Sequence, residues 1–109
     1  YVAETKPEFE LSRVYFDNSV AGWSNVYIYG WAESGLGNAA AAMTNISGTD
    51  IWYYDFATPL SPGSSCFLFK NTASSWMTQT DNMTVQNDKN CFKANAGNKS
   101  GGTWYYYSE

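Results

Sequence analysis

The chain has 109 residues and a net charge of −4, enough for one domain around one modest hydrophobic core. The acidic balance argues against nucleic-acid binding, which depends on basic surface, and against anionic membrane surfaces. Histidine is absent, which excludes Ser-His-Asp and Cys-His relays and any His-containing zinc site, and no stretch approaches the apolar length of a membrane helix.

Residues 1–12 are charged (Glu4, Lys6, Glu8, Glu10) and lack clear periodicity. They read as a linker or lead-in from a larger polypeptide, leaving residues 13–109 as a single domain. From there, period-2 strand patterns alternate with turn signals. Arg13-Val14-Tyr15-Phe16 ends at Asp17-Asn18, and residues 25–31 end at Glu33-Ser34-Gly35. The Ala-rich stretch Asn38-Ala39-Ala40-Ala41-Ala42-Met43 follows Gly37 and reads as loop or a single helical turn. Ile51-Trp52-Tyr53-Tyr54-Asp55-Phe56 follows Ser47-Gly48-Thr49-Asp50 and stops at Pro59, and residues 66–70 follow Ser61-Pro62-Gly63. Shorter runs come at Met83-Thr84-Val85, Cys91-Phe92 and Thr103-Trp104-Tyr105-Tyr106-Tyr107, the last preceded by a Gly-rich loop over residues 96–102. Short strands split by Gly, Pro, Asn and Ser predict an all-β fold, an antiparallel, immunoglobulin-like β-sandwich of about 7–9 short strands.

Cys66 and Cys91 each lie beside Phe in a strand-like run. They are too few for a structural zinc cluster and are not a C-x-x-C pair. Two readings stand: a disulfide between neighbouring strands, contributing roughly 3 kcal/mol, or two buried free thiols.

Catalysis by paired carboxylates needs two acids about 5–10 Å apart in a cleft. Asp17, Glu33, Asp50, Asp55, Asp81 and Asp88 mostly lie in turns beside Asn, Gly or Ser, where such residues form turns or stay solvated. There is no P-loop, no G-x-G-x-x-G and no EF-hand loop. The expectation is a non-enzymatic domain without a cofactor or metal, a small hydrolase being the less favoured reading.

The aromatic content, 9 Tyr, 5 Trp and 6 Phe, favours binding, because Tyr and Trp pair an apolar body with a polar handle. Tyr27, Tyr29 and Trp31 occupy alternate positions of one strand pattern, so a β-strand turns all three rings to one face at a spacing of roughly 6–7 Å. One assignment buries those rings and turns Val26 and Ile28 outward; the other buries the aliphatic pair and exposes the rings. Aliphatic β-branched residues make the more natural core set, and Tyr hydroxyls are costly to bury without partners. Exposed rings suit the apolar faces of consecutive sugar units. A second row, Trp52, Tyr54 and Phe56, alternates with Asp55 and reads as core, as do Phe67 and Phe69 opposite Lys70. Trp76 with Gln79 lies in a polar stretch: either an exposed ring beside a hydrogen-bonding amide, or a plug for its loop.

Over residues 14–93 the chain resembles the starch-binding carbohydrate-binding modules of family 26, relatives of families 25 and 53. The likeness rests on Val14-Tyr15-Phe16-Asp17-Asn18, Trp23-Ser24-Asn25-Val26-Tyr27-Ile28-Tyr29-Gly30-Trp31, Ile51-Trp52-Tyr53-Tyr54, Phe67-Leu68-Phe69-Lys70-Asn71 and Thr78-Gln79-Thr80-Asp81-Asn82. The resemblance implies a monomeric β-sandwich module appended to a secreted or cell-surface bacterial protein, such as an amylase. Its partners would be starch, glycogen or maltooligosaccharides, bound without cleavage, with no nucleic acid and no membrane insertion. It further implies that Tyr27 and Tyr29 form the platform and that Lys70 and Gln79 bond glucose hydroxyls. The family pattern has a Trp shortly after the Ala-rich segment and this chain has none there, which leaves Trp31 or Trp76 to supply a third ring. The alternative from a different class is a protein-interaction or adhesion module using the same aromatic face.

Overall fold

The computed structural model describes residues 9–74, 78–97 and 101–109. Its strands are β1 (Leu11–Asp17), β2 (Tyr27–Gly30), β3 (Ala39–Ala42), β4 (Thr44–Asn45), β5 (Ile51–Leu60), β6 (Phe67–Lys70), β7 (Cys91–Ala94) and β8 (Gly102–Tyr105). They form a β-sandwich: a five-stranded sheet in the order β4-β5-β1-β7-β8 and a three-stranded sheet in the order β3-β2-β6. Every pair of these strands is antiparallel except β1 with β7, where Tyr15, Phe16 and Asp17 run parallel to Cys91, Phe92 and Lys93. That one parallel pair is possible because the chain visits the smaller sheet between β1 and β7, which supplies the long connection parallel strands need.

Strand parity builds the core. Val14 and Phe16 of β1, Phe56 of β5 and Phe92 of β7 face inward from the larger sheet and meet Ile28, Phe67 and Phe69 of the smaller. The rings touch across the layer: Phe16 to Phe69 at 4.9 Å, Phe56 to Phe67 at 5.4 Å and Phe69 to Phe92 at 6.1 Å between centroids. Burying each ring stabilises the fold by roughly 1.5–3 kcal/mol. Trp52 and Tyr54 pack against the same cluster, in line with their parity. At one end Asn18 closes a loop, donating from Nδ2 to the Trp23 carbonyl at 2.7 Å and accepting from the Trp23 N–H at 2.8 Å. Trp23 then stacks on Phe16 at 4.9 Å. The Asp-Asn…Trp signature is therefore a structural corner.

The structure departs from the sequence pattern at three points and decides the cysteine alternative. The Ala-rich segment is β3, an edge strand paired with β2; backbone hydrogen bonds to its neighbour outweigh alanine's weak strand preference. Cys66 and Cys91 are both free. Cys66 packs into the core between the sheets, whereas Cys91 belongs to a cluster on the outer face of the larger sheet with Tyr15 and Ile51, so the two thiols lie in separate layers. Finally, β1 opens at Leu11, a core residue, and Phe9 packs against the core, so the folded unit begins inside the expected lead-in. Residues 83–85 make one bridge, Met83 to Phe67, instead of a strand, although Met83 and Val85 are buried.

Candidate functional site

The outer face of the three-stranded sheet gathers most of the candidate residues. Val26 and Ile28 are 1% and 0% exposed, so the alternate positions, Tyr27 and Tyr29, turn outward and stay half-buried. Opposed residues in antiparallel strands share a face. Tyr27 therefore stands between Ala42 of β3 and Lys70 of β6, and Tyr29 between Ala40 and Leu68.

Trp31 extends this row just beyond the end of β2. Its N–H donates to the Cys66 carbonyl at 2.9 Å, carrying the β2–β6 pairing past Gly30. The ring lies 6.2 Å from that of Tyr29 with 48° between the planes, and its other side packs against the core. A single 3-10 turn, Ala32–Ser34, follows at once and ends on Gly35 in the left-handed region. Ala32 itself has φ of 48°, an unusual conformation for a residue with a Cβ. Gly30 makes the turn possible: a Cβ there would sit 2.8 Å from Ser34 Cβ and 2.7 Å from Leu36 Cδ1. The tilt of Trp31 is thus set by a tightly packed corner.

Lys70 lies beside the platform but is only 1% exposed. Its Nζ sits 5.4 Å from the centre of the Tyr29 ring, an attraction worth about 0.5–2 kcal/mol in such a setting. Burial lowers its pKa from the ordinary lysine value. The return segment after β6 pairs alongside it: Gln79 bridges to Lys70, and the Asn71 N–H donates to the Thr78 carbonyl at 3.2 Å. Thr80 anchors this segment, its N–H bonding the Phe69 carbonyl at 2.8 Å while its hydroxyl accepts from the Phe69 N–H at 3.1 Å. Tyr27, Tyr29, Trp31, Lys70 and Gln79 therefore share one region of one sheet. Lys70 acts from within as a prop beside Tyr29, whereas a solvent-reaching hydrogen-bonding arm was expected. Trp76 lies outside the described residues.

Sequence reasoning missed Ala40 and Ala42, which flank the two tyrosines on the open side. The available signal was Gly37-Asn38, where both residues adopt positive φ, 67° and 59°, and reverse the chain so that the Asn38 N–H meets the Gly30 carbonyl at 2.9 Å.

The opposite outer face, on the larger sheet, is closed by its own contacts. Arg13 forks onto Asp55 with hydrogen bonds of 2.6 and 2.9 Å, and its guanidinium covers the Tyr53 ring at 4.1 Å. The chain after β8 folds over β1, with Tyr107 against Tyr15 at 4.9 Å and Tyr15 donating to Glu109 at 2.6 Å. Tyr105 donates to Asp17 at 2.7 Å. Burial, reinforced by the Glu109 carboxylate, pushes the Tyr15 hydroxyl up to about 12. Tyr15, Tyr53, Tyr105 and Tyr107 of this face are thus engaged with the protein's own side chains, while Tyr106, just past the end of β8, is 64% exposed.

Among the described residues no pocket forms. Comparison with protein-family models, with curated proteins and with solved structures returns no match to this chain.

Proposed function

We propose that this domain binds starch-like α-1,4-glucan on the outer face of the three-stranded sheet, without cleaving it, and so targets a larger secreted protein to starch. Tyr27 and Tyr29 stack on adjacent glucose units, Trp31 serves as a third, angled ring, and Gln79 bonds sugar hydroxyls at the β6 flank. Lys70 holds Tyr29 in place. The observation that carries this reading is the tilt of 48° between Tyr29 and Trp31. A coiled α-1,4-chain presents successive ring faces at changing angles, which an angled pair of aromatics matches. A straight β-linked chain calls for coplanar rings. The acidic charge of the chain is no obstacle, because the ligand is neutral.

The test is retention on insoluble starch against cellulose, together with titration of maltoheptaose into the wild type, Tyr27→Ala and Tyr29→Ala. Stacking of this kind is worth on the order of 1 kcal/mol or more per ring, so each variant is expected to lose about five- to tenfold in affinity. Undiminished binding by both variants would exclude this face. Failure to bind starch, with cellulose bound instead, would move the substrate class to straight glucans. Retention of neither would leave the protein-interaction reading of the face standing in its place.

A further inference from the structure

We infer that residues 106–109 are an acid-sensitive clasp. They hold down a row of tyrosines on the outer face of the larger sheet while Glu109 is charged, and lift away, with the sandwich still folded, once Glu109 is protonated. Register fixes the row. Tyr53 of β5 pairs with Tyr15 of β1, Tyr15 with Cys91 of β7, and Cys91 with Tyr105 of β8, so the four residues form one line across the sheet. They belong to a cluster separate from the main core, and Tyr107 packs on it. β8 ends at Tyr105, after which the chain leaves the sheet edge and passes the start of β7 to reach β1.

The contacts that hold this crossing do not reach the core between the sheets. Asn90 stands in for a strand neighbour: its Oδ1 accepts from the Tyr107 N–H at 2.7 Å and its Nδ2 donates to the Tyr107 carbonyl at 3.0 Å. The Tyr107 ring meets that of Tyr15 at 4.9 Å. The remaining attachments converge on one atom. Glu109 Oε2 accepts from the Tyr15 hydroxyl at 2.6 Å and from Arg13 Nη1 at 2.9 Å. Bonds to a charged acceptor are about twice as strong as neutral ones, so protonating Glu109 removes the strongest hold on the clasp. Arg13 does not follow it. Its Nε and Nη2 already grip Asp55 and its guanidinium lies over the Tyr53 ring, so it stays on the sheet either way. The groups facing Glu109 are therefore Tyr15 and Arg13 from β1, which lower its pKa in that order, and Asp55 from β5, whose charge opposes them. A carboxylate that is more acidic when the clasp is closed secures closure above its ordinary value and loses it as the pH falls through the lowered one. Segments with few buried apolar contacts open well below the free energy of global unfolding, which lets the clasp open alone.

Two measurements test the inference, and neither depends on the glucan reading of the opposite sheet. Glu109→Gln imitates the protonated side chain. In native-state amide exchange at pH 7, its Tyr107 N–H is expected to exchange at least about tenfold faster than in the wild type, while the Phe69 N–H of β6 keeps its rate. Over the same hours a maleimide should modify Cys91 in the variant and neither cysteine in the wild type, with Cys66 protected in both. In the wild type, exchange corrected for its intrinsic pH dependence should show Tyr107 losing protection between about pH 5 and 3, ahead of Phe69. This last comparison decides the matter if Glu109→Gln fails to fold. An unchanged Tyr107 rate with Cys91 unmodified, joint modification of both cysteines, or Tyr107 and Phe69 losing protection together would each overturn the clasp.

Discussion

Tyr27 and Tyr29 keep their phenol ends near water because their neighbours claim the interior. Turning the strand over would bury two hydroxyls, each costing about 1–3 kcal/mol if left unpaired, and would expose Val26 and Ile28. Strand parity likewise puts Lys70 beside Tyr27 on that outward face, where it is covered and its Nζ lies 5.4 Å from the centre of the Tyr29 ring. The two thiols are the opposite case, small groups buried with little consequence. Burial pushes Cys91 up to about 12, with the Asp17 charge adding to it. Cys66 is pushed up to about 11, again by burial first and then by the Glu33 carboxylate. Thiolate is the reactive form, and neither sulfur is accessible. In native buffer at neutral pH, a thiol reagent should therefore release no chromophore on the timescale of mixing. After addition of denaturant both cysteines should titrate. Release of one equivalent before unfolding would show that a layer of the sandwich opens more readily than its packing implies.

At the level of the element, the corner after β2 has a sharp sequence requirement. A methyl on Gly30 would press on Ser34 and come within 2.7 Å of Leu36 Cδ1. Gly30→Ala should destabilise the domain by about 1–3 kcal/mol, the usual range for overpacking. Adding Ser34→Gly to the same chain should recover part of that loss, because it removes two of the three clashing atoms. Denaturant midpoints of the two variants check this; a Gly30→Ala protein as stable as the wild type would mean that the corner yields easily and does not fix the Trp31 tilt. Much of β2, β5 and β6 was legible because strong apolar alternation decides which way a strand faces whatever its partners are. Tyr27, Tyr29, Trp52 and Phe69 therefore came out on the right faces. β3 was not legible, since a run of identical alanines has no alternation to read. β4 is only two residues long and exists through its pairing with β5. The parallel pairing of β1 with β7 and the burial of Lys70 are set by segments distant in sequence, 91–93 and 78–80, and no local pattern announces such partners. The disulfide alternative arose in the same way: two cysteines in strand-like runs look bondable until the layers separate them.

Across the whole molecule, the carboxylates that matter for stability cluster on one side. Asp17, Asp55 and Glu109 all lie on the outer face of the larger sheet: Asp17 accepts from Tyr105 of β8, Asp55 pairs with Arg13 across β5 and β1, and Glu109 ties the segment after β8 to β1. Burial alone would raise the Asp17 carboxyl, but hydrogen bonds from Ser19 and Tyr105 outweigh it and hold the group below its usual 3.8. Asp55 is lowered first by its hydrogen bonds from Arg13, and Glu109 by those from Tyr15 and then Arg13. A carboxylate that is more acidic when folded binds fewer protons in the native state than in the unfolded one. Stability therefore rises with pH through the interval between the two values, is fully present above the unfolded value, and is lost as the pH falls through the folded one. For this chain the loss begins near pH 4 and continues below it. The Arg13–Asp55 pair is partly exposed, and such pairs contribute only about 0–1 kcal/mol each, so the slope comes from the cluster acting together. Thermal midpoints should be flat from pH 7 to 5 and fall from pH 4 to 2.5, with Asp17→Asn showing a lower midpoint at pH 7 and a shallower acid decline. Histidine is absent, so no side chain with an unperturbed pKa between 5 and 8 contributes. Tyr27 and Tyr29 lie on the other sheet, away from every carboxylate in this cluster. Retention on starch should consequently hold constant between pH 7 and 5 and weaken only where the midpoint itself drops. A binding loss near pH 5, with the melting curve unmoved, would place a titrating carboxylate at the platform and contradict the separation of the two faces.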